Sequence, residues 1–160
     1  MGQLVFQATL GGQVNLVGPN TASTFNLNVP AASDTIVARD TTDTLTNKTL
    51  TNPTVTNYVE TRFTANSSTA ITLNLANGTM QDITLTGTAT ITMPAAVAGK
   101  SFLLLLRSGA GSYTVTWTTV KWPGGTAPTV TATASKLDIY SFFSDGTNWY
   151  GVTVNQNYTP

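Results

Sequence analysis

The chain has 160 residues, and its seven basic and seven acidic side chains give a formal net charge of zero, with only 9% of the residues charged. Average domains carry about 25% charged residues, and the balance of signs argues against electrostatic capture of nucleic acid. The absence of Cys and His excludes disulfides, thiol chemistry, most zinc and copper sites and histidine acid–base catalysis, so no metal and no cofactor are expected.

Threonine sets the expected fold class, because 33 of the 160 residues are threonine while Lys and Glu are rare. Thr, Val, Ile and aromatic residues favour extended backbone, so the composition predicts an all-β protein. The length suggests one compact domain with an appendage. Every apolar run is far shorter than the ~18 residues of a transmembrane helix, so we expect no membrane insertion.

Residues 1–40 are expected to form short strands separated by turns. Leu4, Val5 and Phe6 make an apolar run, and residues 25–29 alternate apolar side chains with Asn, as in a half-buried strand. About 40 residues without a disulfide or metal lie near the lower limit for independent folding. We therefore expect this segment to pack on the rest of the chain, on other copies or on a larger partner.

The segment Thr44–Tyr58 is a five-residue unit written three times, each with one apolar residue between two threonines. The apolar residues are Leu45, Leu50 and Val55. A period of five matches neither a strand nor a helix, so no single element would bury all three on one face. They would share an axis if copies of the chain wind together. The alternative is an exposed, extended linker with accidental repetition.

Residues 59–160 contain the densest strand signals. Apolar residues alternate with Thr or Asn in several short stretches that end at Gly or Pro. Phe102–Leu106 is a continuous apolar run, which predicts a central strand covered on both faces. Asp145-Gly146 lies between two apolar stretches and predicts a hairpin. Short strands with turns every ~8–12 residues indicate a sandwich or barrel.

Three candidate sites in the sequence also have an ordinary structural interpretation. Trp122, beside a Pro-Gly-Gly turn, is the candidate for an aromatic glycan-binding platform, and the competing interpretation is that the tryptophans fill the core. Asp138 and Asp145 could form a glycosidase pair, but Asp138 begins a predicted strand and Asp145 is explained by its turn. The stretch 145–148 supplies too few oxygens for an EF-hand-like calcium loop. No catalytic residue is assigned.

Two stretches of the chain resemble structural proteins of tailed bacteriophages. Thr44–Val55 resembles a connector of phage fibre and head-appendage proteins. The Trp-Pro-Gly-Gly loop that follows Lys121, together with residues 137–152, resembles the C-terminal β-domain of such appendages. With the strand-Pro-Ala-Ala pattern of residues 25–32, the resemblance covers most of the chain and implies a homotrimeric virion component. Fibre proteins are usually much longer, which favours a capsid decoration protein or short head fibre over a tail fibre.

These observations lead to one interpretation of the chain. Residues 1–40 form an N-terminal β-arm or small β-unit that attaches to the virion, residues 41–58 are the connector, and residues 59–160 form a jelly-roll-like β-sandwich in an intertwined homotrimer. The expected function is non-enzymatic: a trimeric cement or head-fibre protein on the outer capsid surface, bound to the major capsid protein. The alternative is a tail-fibre or receptor-binding tip that binds a host-surface glycan. The expected capsid anchors are Leu4, Val5 and Phe6, and the trimer-axis residues are Leu45, Leu50 and Val55.

Overall fold

A computed structural model of the protein describes Ala22, residues 44–46 and residues 48–160. The chain divides into two compact units, Met1–Asn52 and Pro53–Pro160. Every helix and strand of the described residues lies in the second unit. The strands are β1 (Arg62–Ser67), β2 (Ala70–Thr72), β3 (Met80–Leu85), β4 (Ala89–Thr92), β5 (Ser101–Ser108), β6 (Val115–Thr118), β7 (Val120–Lys121), β8 (Lys136–Ser144) and β9 (Trp149–Tyr158), with 3₁₀ helices at Leu75–Asn77 and Pro123–Gly125.

The strands form two sheets, and the first six strands alternate between them. The six-stranded sheet has the order β1-β3-β5-β8-β9-β7, and the three-stranded sheet has the order β2-β4-β6. Strands β1, β3 and β5 are parallel, as are β2, β4 and β6. The chain therefore winds as a short coil with three rungs, each of which gives one strand to each sheet. The antiparallel strands β8 and β9 then extend the larger sheet.

The rungs stack in a regular register. Ile71 pairs with Ile91, and Ile91 pairs with Trp117 on the next strand, so successive rungs use about 20 and about 26 residues, within the range of solenoid proteins. Glycine lets the backbones of adjacent rungs meet at the corners. A Cβ on Gly109 would lie 2.3 Å from the backbone oxygen of Leu85, the same oxygen that accepts the N–H of Gly109.

The hydrophobic core lies between the two sheets. Along β5 the even-numbered residues are buried, and their neighbours on β3 and β8 continue the same buried face. Trp117 on the three-stranded sheet meets Tyr140 on the six-stranded sheet, with ring centroids 5.1 Å apart in an edge-on arrangement. Phe102 stacks on Phe142 at 4.8 Å. The contact between Trp117 and Tyr140 therefore joins the two sheets, whereas the stack of Phe102 on Phe142 lies between paired strands of the larger sheet.

Threonine has a structural use on the three-stranded sheet. Thr72, Thr92 and Thr118 occupy the same register position on β2, β4 and β6. The hydroxyl of Thr118 lies 3.0 Å from that of Thr92 and donates to the backbone oxygen of Ile91 at 3.1 Å. A β-branched residue that can hydrogen-bond along a ladder favours this stacking.

The all-β prediction is confirmed, and so are two of its details. The strand containing Phe102–Leu106 lies third in the six-stranded sheet, with a neighbour on each side. Asp145-Gly146 joins β8 to β9 as a hairpin, in which the Asp145 carboxylate accepts the backbone N–H groups of Thr147 and Asn148 at 2.8 and 2.7 Å.

The strand connections differ from those expected of a jelly roll, whose strands are antiparallel. Five of the seven strand pairings among the described residues are parallel. The physical reason is the corner that follows each of β1, β3 and β5. That corner carries the chain to the smaller sheet instead of back along its own neighbour, as a two-residue hairpin would.

Candidate functional site

The connector exposes the three residues that were expected to lie on a trimer axis. Residues 44–46 and 48–61 contain no helix or strand. Leu45, Leu50 and Val55 have exposed fractions of 49%, 59% and 56%, and Tyr58 and Val59 that follow are also exposed. The stretch therefore presents a regular series of apolar side chains to the outside of the single chain.

A second apolar surface lies on the face of the six-stranded sheet that points away from the core. Its members are the outward-facing residues of β5, β8 and β9, which we call the outer apolar patch: Leu103, Leu105, Ile139, Phe143 and Val152. Phe143 and Val152 are exposed, and the other three are half-buried. The prediction that the central strand is covered on both faces therefore holds only for its core face within one chain.

Trp122 lies in the core and not on the surface, which corrects the expectation of an exposed aromatic platform at this position. Its exposed fraction is 9%, and its ring packs edge-on against Trp117 with centroids 5.2 Å apart. The ring covers Gly151, where a Cβ would lie 2.7 Å from the indole. The indole N–H is buried with no hydrogen-bond partner among the described residues. An aromatic pair of the described surface is instead formed by the exposed Phe143 and the half-buried Tyr150, whose rings stack at 5.0 Å.

Asp138 and Asp145 lie at opposite ends of β8, so they do not form a catalytic pair. Seven residues of strand at about 3.3 Å each separate them by roughly 20 Å, whereas glycosidase carboxylates lie about 5–9.5 Å apart. The exposed Asp145 caps its turn, and the N–H groups of Asn148 and Thr147 lower its pKa to about 2. Burial acts to raise the pKa of Asp138, but the backbone N–H groups of Thr131 and Asn157 outweigh it and keep that pKa below its ordinary value.

The sequence did not reveal a charged cluster on the outer face of the six-stranded sheet. Arg62, Asp82 and Arg107 come from the neighbouring strands β1, β3 and β5. Arg107 binds the Asp82 carboxylate through two donors, Nε at 2.7 Å and Nη2 at 3.0 Å, and Arg62 binds the same carboxylate through Nη2. Because charge is scarce in this chain, the meeting of three charged groups is a notable feature of its surface.

The carboxylate of Asp82 remains ionised within this cluster. Only 2% of its side chain is exposed, and this burial acts to raise the pKa of Asp82. The hydrogen bonds and positive charges of Arg107 and Arg62 outweigh burial, so the pKa lies below its ordinary value. The sequence signal that could have revealed the cluster is its spacing, since charged residues recur at about one-rung intervals in otherwise uncharged strands.

The remaining predicted site, the capsid anchor at Leu4, Val5 and Phe6, lies outside the described residues. Among the residues that the structure does describe, no three acidic side chains come close enough to hold a metal ion. None of the described helices has the length and apolar character needed to span a membrane.

Comparison with known proteins does not place the chain in a family. No protein-family model, no curated protein and no solved structure matches it.

Proposed function

We propose that this chain is a non-enzymatic structural protein of a tailed-bacteriophage virion, a homotrimer that binds the outer capsid shell as a cement protein or short head fibre. Its localisation is then the outer surface of the virion, and its main partner is the major capsid protein. In this proposal the connector copies intertwine about the trimer axis, and the paired sheets of each chain form a sandwich-like head. The resemblance of Thr44–Val55 and of residues 121–152 to phage appendages supports the virion assignment.

The observation that carries the assembly part of the proposal is the exposure of the connector. Leu45, Leu50 and Val55 recur every five residues and keep about half or more of their surface exposed. Exposed apolar side chains in a regular series indicate a surface that another molecule covers. Copies of the same chain carry the same period and can therefore match it along a common axis.

The outer apolar patch supports the same assembly. It places half-buried leucines beside the exposed side chains of Phe143 and Val152, so one face of the larger sheet remains partly uncovered in a single chain. The low charge of the sequence causes little repulsion between copies. A protein that packs many copies on a shell needs both properties.

Light scattering on the purified full-length protein tests the assembly. We expect a mass of about three chains, and a Leu45→Ser/Leu50→Ser/Val55→Ser variant should dissociate at micromolar concentration. A matched variant with Thr46→Ser and Thr49→Ser changes the same segment but keeps Leu45, Leu50 and Val55, and it should remain trimeric. A wild-type protein that is monomeric at this concentration would contradict the proposal.

Attachment is tested by mixing the protein with undecorated capsids. We propose that residues 1–40 bind the shell, with Leu4, Val5 and Phe6 as apolar anchors, and that residues 59–160 project outward. The contact should then resist high salt, since apolar burial is not screened by ions. A Leu4→Ser/Phe6→Ser variant that remains trimeric should no longer sediment with capsids. If it binds as tightly as the wild type, the anchor lies elsewhere.

The second candidate function is a tail-fibre or receptor-binding tip that recognises a host-surface glycan. The exposed ring of Phe143, stacked on the half-buried ring of Tyr150, favours it, because aromatic faces are common contacts for sugar rings. A glycan array probed with the wild type and with Phe143→Ser separates the candidates. The tip function would be favoured if the wild type binds a glycan, if Phe143→Ser abolishes that binding, and if the wild type does not bind capsids.

A further inference from the structure

The cluster of Arg62, Asp82 and Arg107 carries more positive than negative charge. Two guanidinium groups share one carboxylate, so the three side chains retain a net charge of +1. Exposed fractions of the Arg62 and Arg107 side chains are 52% and 29%, whereas Asp82 is covered. The carboxylate is therefore used inside the cluster, and the excess positive charge faces the solvent.

Both guanidinium groups retain N–H donors that bond to none of the described residues. Arg107 binds Asp82 through Nε and Nη2, and Arg62 binds it through Nη2. The Nη1 group of each arginine and Nε of Arg62 make no hydrogen bond to any described residue. A guanidinium has five N–H donors in a planar fork, which matches the two oxygens of a carboxylate or the oxygens of a sulfate.

A cavity of about 290 Å³ opens over this cluster. Besides the charged groups, its walls include the side chains of Thr64, Asn66 and Thr84, which lie on the outward face of β1 and β3. None of these three side chains has a hydrogen-bond partner among the described residues. Hydroxyl and amide groups that face a cavity beside free guanidinium donors can bind a ligand with both hydroxyl groups and a negative charge.

The cavity continues across the sheet. A second cavity of about 280 Å³ shares Thr84 and Arg107 with the first and reaches Ser135 and Lys136 at the start of β8. Together they form a groove, which we call the Arg107 groove, from β1 across β3 and β5 to β8; it combines charged and hydroxyl groups with apolar wall atoms. Arg62, Arg107 and Lys136 are its three cations, and Lys136 Nζ donates to the Thr159 hydroxyl at 2.6 Å. The groove crosses four adjacent strands, a span that suits several linked units of a ligand better than a single ion.

We propose that the Arg107 groove binds an acidic saccharide. The carboxylate of the sugar would accept the unused N–H groups of Arg62 and Arg107, and the sugar hydroxyls would bond to Thr64, Asn66 and Thr84. A neutral sugar would leave the net positive charge of Arg62, Asp82 and Arg107 without a negatively charged partner. Nucleic acid fits less well, because the groove offers only three cations for phosphate groups and no aromatic side chain for base stacking. The net charge of the whole chain is zero, so the rest of the protein adds no general attraction for a polyanion. The inference does not depend on capsid attachment.

The test is a titration of the full-length protein, followed by calorimetry and by NMR of the arginine side chains. The probes are oligogalacturonate and its methyl ester, which keeps the hydroxyl groups but lacks the charge. We expect binding of the acid, at least tenfold weaker binding of the ester, and shifts of the arginine Nε–H signals of Arg62 and Arg107. Equal affinity for acid and ester, or no binding of the acid, would overturn the proposal.

Variants then locate the site. Arg62→Gln leaves the two-donor contact between Arg107 and Asp82 in place, and it should lower the affinity for oligogalacturonate at least tenfold. Lys121→Gln is the matched control, because β7 lies at the opposite edge of the same sheet from β1, and it should bind as the wild type does. Thr64→Val and Asn66→Ala should weaken binding without changing the fold measured by circular dichroism.

Two results would contradict the proposal: one would show that the cluster has only a structural role, and the other that the groove binds a different ligand. Unchanged affinity in Arg62→Gln would remove the groove from the binding site. Tighter binding of a single-stranded DNA oligonucleotide than of oligogalacturonate at the same salt concentration would overturn the saccharide assignment. Binding that Arg62→Gln and Thr64→Val both weaken, while Lys121→Gln does not, supports it.

Discussion

The Asp138 carboxylate accepts the backbone N–H of Thr131 at 2.7 Å and so ties an irregular segment to the buried sheet. Residues 126–135 contain no helix or strand. The same carboxylate also accepts the hydroxyl of Tyr140 at 3.1 Å, the amide of Gln156 at 3.0 Å and the backbone N–H of Asn157 at 2.9 Å. The buried Asp138 carboxylate is therefore neutralised by four hydrogen-bond donors and not by a cation. These donors join the irregular segment 126–135 to strands β8 and β9.

We expect Asp138→Asn to lower the free energy of unfolding by about 2–3 kcal/mol, because its amide group would face donors and leave buried groups unpaired. Tyr140→Phe removes one of the four donors and should cost about 1 kcal/mol. Urea unfolding followed by tryptophan fluorescence measures both. Equal stability of Asp138→Asn and the wild type would show that the carboxylate does not hold the segment.

The alternation along β5 predicts opposite results for neighbouring residues. Leu104 is fully buried, so Leu104→Ala should cost about 2–5 kcal/mol through the cavity that it leaves. Leu103, on the outer face, is only half-buried, and Leu103→Ala should cost less than half as much in the dissociated chain. Calorimetry of both variants checks the difference. A loss below about 1 kcal/mol for Leu104→Ala would contradict its central position.

The stacking of the rungs predicts a strict need for glycine at position 109. Gly109→Ala would bring a Cβ within 2.3 Å of a backbone oxygen of the adjacent rung, which cannot move without opening the corner. We expect a loss of about 1–3 kcal/mol. Gly111→Ala is the control, because its Cβ would meet only the end of the Tyr113 side chain, which can rotate away. Similar losses in thermal unfolding for both variants would argue against rung contact at Gly109.

Stability should fall in acid for a defined reason. The pKa values of Asp82 and Asp138 are lowered in the folded chain, so the unfolded chain binds protons first as the pH falls. Their stabilising contribution is complete above an unfolded pKa of about 3.9 and is lost as the pH falls through the lower folded values. Urea midpoints at pH 7, 5, 4 and 3 should drop mainly below pH 4. In Asp138→Asn this drop should be smaller, and an unchanged drop would exclude Asp138 as a cause.

The sequence predicted strands better than it predicted how they pair. Alternation between apolar residues and threonine identifies which face of a strand is buried, and it located β3, β4 and β6, while a continuous apolar run located β5 and the Asp-Gly turn located the final hairpin. It carries no information about the direction of the neighbouring strand, so the parallel winding was missed. The repeated Ile-Thr at positions 71–72 and 91–92, which stack in register, was the available signal. Strand β1 was missed because only two of its core-facing residues, Phe63 and Ala65, are apolar.

Site prediction failed where the answer depended on contacts between distant residues. Trp122 is buried because Gly151, 29 positions later, leaves space for its ring, and no local pattern reports such a match. Asp82 looked isolated in the sequence, because Arg62 and Arg107 become its neighbours only through the register of three parallel strands. By contrast, the exposure of Leu45, Leu50 and Val55 in one chain could be predicted, because their five-residue spacing matches neither a strand nor a helix.

The winding of the first six strands has a consequence for how this molecule can change in length over evolution. Each rung has one strand in each sheet, and each of these strands pairs in parallel with the corresponding strand of the next rung. The two exposed strand edges of a rung are therefore of the same kind as those of the rung before it. A tandem duplication of residues 80–100 would therefore insert a further rung whose edges already match both neighbours. The final hairpin would be carried along unaltered at the end of a taller coil. We expect length variants of this protein to differ by whole rungs of about 20–26 residues, and rarely by a few residues within a strand.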